Sequence, residues 1–171
     1  MTNTRNRIEK SSKLLALVFF AFLGSSVLQG CIALWKLLVI LIDPADAVVQ
    51  ASAQMPFATV FHVLLYQSGR CIIWLCYGAA FLLLYRIFRD VHREYTPFRQ
   101  LHVQRLRQTA GYLAVVYALE NGSGALTSVM HKGFLSFTLK LDPFLLPLTL
   151  IGLSFILDYA CQLQAEADTT L

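Results

Sequence analysis

Charge is scarce in this sequence, and long stretches have none. Charged residues make up 14% of the 171 and apolar residues 57%, whereas water-soluble domains run near ~25% and ~45–50%. Such a chain has too little polar surface to stay in water, and its mean hydropathy of +0.59 agrees. Cysteine is sparse too. Cys31, Cys71 and Cys76 sit inside apolar runs and Cys161 at the end of one, with neither metal-ligand spacing nor a secreted disulfide framework. They read as small buried hydrophobes. Paired carboxylates, a nucleophile beside a base, a glycine-rich phosphate loop and internal repeats are all missing. His62, His92, His102 and His131 lie far apart. No constellation for catalysis, metal or cofactor binding is expected from these residues.

The charge that is present is placed unevenly. The formal net charge is +4, but lysine and arginine fall in two blocks between apolar runs. One holds Arg5, Arg7, Lys10 and Lys13; the other holds Arg86, Arg89, Arg93, Arg99, Arg105 and Arg107. Blocks of this kind mark connectors kept on the cytoplasmic side of a bilayer, next to anionic headgroups. Direct nucleic-acid binding is therefore not expected, since a basic footprint alone is weak evidence for it.

The apolar runs then order the chain. From Leu14 to Trp35 there are 22 residues without a charge, enough for the ~20 that a span requires. The motif "LQGC", 28–31, resembles a lipidation signal, but "IALWKLLVILI" after Cys31 is still membrane-like, so an uncleaved first span is expected. An acidic external stretch follows, 43–54, and then a second span ending at Arg86. In the basic connector, Thr96 and Pro97 read as a helix start. Val103, Leu106, Ala110, Leu113 and Tyr117 repeat at helical spacing into a third span. That span contains Glu120 and "NGSG", 121–124, and is expected to be irregular. Asp142 and Pro143 open the fourth.

The sequence thus predicts an all-α membrane protein with four transmembrane helices and both termini cytoplasmic, the third helix extending into the cytoplasm. The spans are placed at about 14–37, 64–86, 108–131 and 143–163, between a basic tail (1–13) and an acidic one (164–171). Lysine and arginine number ten on the inside, four in the tail and six in the connector, against Lys132 and Lys140 outside. Localisation in the cell's inner membrane follows.

Ionisable groups within spans are costly, by ~2.5–3.5 kcal/mol on insertion scales. Arg70 and Glu120 are expected to face each other inside the bundle. Three readings stay open: a structural ion pair, a polar site for an ion or small ligand, or an Arg70 that snorkels to the interface. Asp158, near the inner face, is expected to be clamped by Arg86 or Arg105.

Two segments resemble a bacterial family of small four-span membrane proteins classed as domain of unknown function 2975. They are "YTPFRQLHVQRLRQTAGYL", 95–113, and "CQLQAEADTTL", 161–171. The chain departs from the family's closing pattern at Ala167 and Thr169. The family has no established biochemical activity, so the expectation of a non-enzyme rests on the missing constellations; the resemblance implies a cytoplasmic partner, a small helix-turn-helix regulator. The contact residues would be Phe98, Arg99, Arg105, Arg107, Glu166, Asp168 and Leu171. The competing expectation is a small transport or channel subunit built on Arg70 and Glu120, for which four spans would require a homo-oligomer.

Overall fold

The computed structural model describes residues 2–94, 99–136 and 141–169, with side chains at 10–93, 99–136, 141 and 143–167. These residues form five helices: α1 (Thr2–Ile42), α2 (Pro44–Ser52), α3 (Val60–Glu94), α4 (Gln100–Lys132) and α5 (Asp142–Thr169). No strand occurs among the described residues. The chain is all-helical, and α1, α3 and α5 are each long and apolar enough to cross a membrane. α4 has no window of comparable hydropathy, because Glu120, Asn121 and the serines around it dilute its apolar run.

Helix boundaries follow local chemistry. Pro44 has no N–H to continue α1, and the Asp43 side chain instead accepts from the Asp46 amide at 3.1 Å, starting α2. The acidic external stretch is therefore mostly helix. α4 ends at Gly133, whose φ of +74° is left-handed, a conformation that glycine reaches without steric cost. Both charged tails are drawn into helix, since α1 is already regular from Thr2 and α5 runs to Thr169. Thr96 and Pro97 lie outside the described residues.

The expected irregularity of the third span is not found: α4 is unbroken through residues 121–124. The physical reason lies in the side chains. Asn121 Nδ2 donates to the Tyr117 carbonyl at 2.9 Å, Ser123 Oγ to that of Glu120 at 2.9 Å, and Thr127 Oγ1 to that of Ser123 at 2.8 Å. Groups that elsewhere compete with helical backbone here bond along the helix that carries them.

The packing order is α1 on α3, α3 on α4 and α4 on α5. Phe19 stacks on Phe88 with ring centroids 5.3 Å apart, and Phe22 on Phe81 at 5.4 Å, joining α1 to α3. Buried Gln67 donates to the Ala33 carbonyl at 2.8 Å across the same seam. Ala80, Val103, Leu106 and Ala110 are buried on α3 and α4. No Cα of α5 lies within 8 Å of α1 or α3 among the described residues. The helices therefore form a curved row, not a closed bundle.

Candidate functional site

Two groups of polar residues interrupt this apolar assembly, one where the C-terminal end of α3 meets the start of α4 and one farther along α3 and α4. At the first, Arg105 pairs with Asp90. Arg107 Nη2 donates to Asp158 Oδ2 at 2.8 Å, and Gln100 Nε2 to Asp158 Oδ1 at 2.9 Å. Arg89 adds a longer contact to Asp90 at 3.6 Å. The first pair ties α4 to α3, and the second ties α4 to α5.

Asp158 is thus clamped, but not by the residues expected. Arg105 and Arg107 are two positions apart, which turns them about 200° from each other around α4. Only Arg107 faces α5, and its guanidinium also lies 5.4 Å from the centroid of the Phe155 ring. Arg105 faces α3. Arg86 sits on α3, which does not reach α5, and among the described residues it is exposed with neither ion pair nor hydrogen bond. Sequence reasoning missed Asp90 and Gln100. Asp90 stands out as an acid in an arginine-rich connector, and its pairing across the α3–α4 turn was the available signal.

The second group lines an open cavity of about 390 Å³ walled by Phe22, Ile73, Trp74 and Phe81, with Ser25, Ser26, Arg70, Tyr77 and Glu120 as its polar members. Arg70 and Glu120 do come to one place. They do not form an ion pair within 4 Å. The Arg70 guanidinium lies 5.7 Å from the Trp74 ring centroid, while Glu120 Oε1 accepts from the Tyr77 hydroxyl at 3.2 Å. Tyr77 is seven residues from Arg70, two turns along the same face of α3. That spacing was visible in the sequence and was not used. Glu120 is exposed at the surface of the chain, not enclosed.

A second, larger cavity of about 600 Å³ shares Tyr77 and Phe81 with the first and continues along α3, α4 and α5. Leu84, Leu106, Leu113, Leu150 and Leu153 line it. It fills the gap left because α5 does not pack on α3.

Of the residues assigned to a cytoplasmic partner, Arg105 and Arg107 are engaged within the chain. Arg99 is exposed at the start of α4, and Glu166 is exposed near the end of α5. Asp168 lies in α5 without a described side chain, and Phe98 and Leu171 lie outside the described residues. Among the described residues, no three His, Cys, Asp or Glu side chains gather as metal ligands would. No protein-family model matches this chain, and no curated protein or solved structure matches it either.

Proposed function

We propose that this chain is a four-span protein of the inner membrane with both ends in the cytoplasm, acting without catalysis by holding a cytoplasmic partner. The observation that carries the reading is the double lock of Asp90 on Arg105 and Asp158 on Arg107. It fixes the ends of α3, α4 and α5 relative to one another, as a docking platform requires.

Four spans are favoured by the position of α4. It packs on both α3 and α5, from the Arg107–Asp158 pair at one end to Tyr117 against Phe144, 5.3 Å between ring centroids, farther along. A helix held between two apolar neighbours shares their solvent. The arginine-rich connector then gives the orientation. The segments resembling domain of unknown function 2975, with its neighbouring helix-turn-helix regulators, suggest the partner's class. Such a regulator is basic, and the tail "AEADTTL" offers it acidic groups.

Deleting residues 166–171 should leave membrane insertion intact and abolish co-purification of the cytoplasmic partner, sought first as any helix-turn-helix regulator whose gene adjoins this one. Retained co-purification removes the tail from the interface. A transport or channel role has one observation of its own, the cavity holding Arg70 and Glu120. Labelling of a cysteine placed at Ser123 by a small membrane-impermeant reagent tests it, and full protection counts against a water path.

A further inference from the structure

The concave side of the helix row joins a polar cavity to an apolar one, and the two have the proportions of an amphiphile. In the upper cavity, Arg70 makes no hydrogen bond or ion pair among the described residues and only rests over Trp74. A guanidinium carries five N–H donors, and a ring face satisfies none of them in the plane. Glu120 receives one hydrogen bond, from Tyr77, and its other oxygen has no donor among the described residues. Opposite charges therefore line a single 390 Å³ space without touching each other. Each is costly in hydrocarbon unless something bridges them.

The bridging group needs an acidic oxygen for Arg70 and an N–H donor for Glu120. Below it, past Tyr77 and Phe81, the 600 Å³ cavity offers hydrocarbon walls from Leu146 to Leu157 on α5. Those 12 residues rise about 16 Å along α5, a length that a hydrocarbon chain can follow.

We propose that this concave face binds a phospholipid with a zwitterionic head bearing a primary ammonium, of the phosphatidylethanolamine type. Its phosphate lies on Arg70, its ammonium on Glu120 and one acyl chain along Tyr77, Phe81, Leu150 and Leu153. The inference uses the bilayer placement but not the cytoplasmic partner, so loss of regulator binding leaves it standing.

Trp74 lines the polar cavity and supplies the probe. In a Trp35→Phe background the full-length protein is reconstituted into vesicles with a fixed fraction of chain-brominated phosphatidylethanolamine, phosphatidylcholine, phosphatidylglycerol or oleate. Quenching of Trp74 fluorescence is then compared. Brominated phosphatidylethanolamine should be enriched roughly tenfold over phosphatidylcholine, whose methylated amine has no N–H for Glu120, as expected for one charge-assisted hydrogen bond. Arg70→Gln and Glu120→Gln should each remove that preference. Leu150→Phe keeps both charges and narrows the chain's path, so it should lower Trp74 quenching by brominated phosphatidylethanolamine with helix content unchanged by circular dichroism. That variant decides the matter if either polar change prevents folding. Equal quenching by all four lipids overturns the site. Stronger quenching by phosphatidylglycerol or oleate overturns the role of Glu120 and the zwitterionic assignment. Failure of the protein to enter the vesicles at all overturns the spanning placement instead.

Discussion

Gly133 shows how much one position decides at the far end of α4. Its φ of +74° is unfavourable for any side chain, and a Cβ there would meet the Phe57 ring at 3.3 Å. The same loop donates the Phe57 amide to the Met130 carbonyl at 3.0 Å. Gly133→Ala should therefore lower stability by about 1–2 kcal/mol, read as a drop in thermal midpoint in detergent, with no change in oligomeric state. Gln67 makes the opposite kind of contribution. It is buried, and its amide reaches a backbone carbonyl of α1. Gln67→Leu should weaken the α1–α3 seam by about 0.6 kcal/mol, and at most ~1.7, the range for hydrogen bonds between membrane helices. Neither residue stood out in the sequence. A lone glutamine in an apolar run does not name its partner, and glycine earns its place here only through a turn and a ring contributed by another segment.

At the scale of elements, α4 carries most of what the sequence left hidden. Its helical character was legible from the spacing of Val103, Leu106, Ala110 and Leu113. Its continuity was not, because "NGSG" reads as a breaker until the hydrogen bonds of Asn121 and Ser123 back to their own helix are seen. The arginines were legible as a block but not as individuals, since the choice between Arg105 and Arg107 depends on which flank each neighbour takes. Their separate attachments make a prediction. Asp90→Asn should loosen α3 from α4, and Asp158→Asn should loosen α5 from α4, so their effects on thermal stability should add. The Arg107–Asp158 pair is the more exposed, with side chains 45% and 25% accessible, and its contribution should fade first as salt rises. Strong non-additivity would mean that the two locks act as one network.

On the scale of the molecule, what could be read from the sequence was the solvent. Long uncharged stretches predicted apolar helices, and α1, α3 and α5 are such helices. The open arrangement was invisible, because a hydrophobic stripe facing lipid and one facing another helix have the same composition. The proposed topology makes its own prediction. Reporter fusions after Arg93 and after Leu171 should both report cytoplasm, and opposite sides would refute four spans.

Among the described residues, α5 packs on α4 and on no other helix. A terminal helix with a single neighbour can leave one molecule and seat itself against α4 of another, restoring every contact that it had. Such helix-for-helix exchange needs no new surface, and it is a low-cost route to dimers. The row that ends at α5 in one chain would then continue into the next.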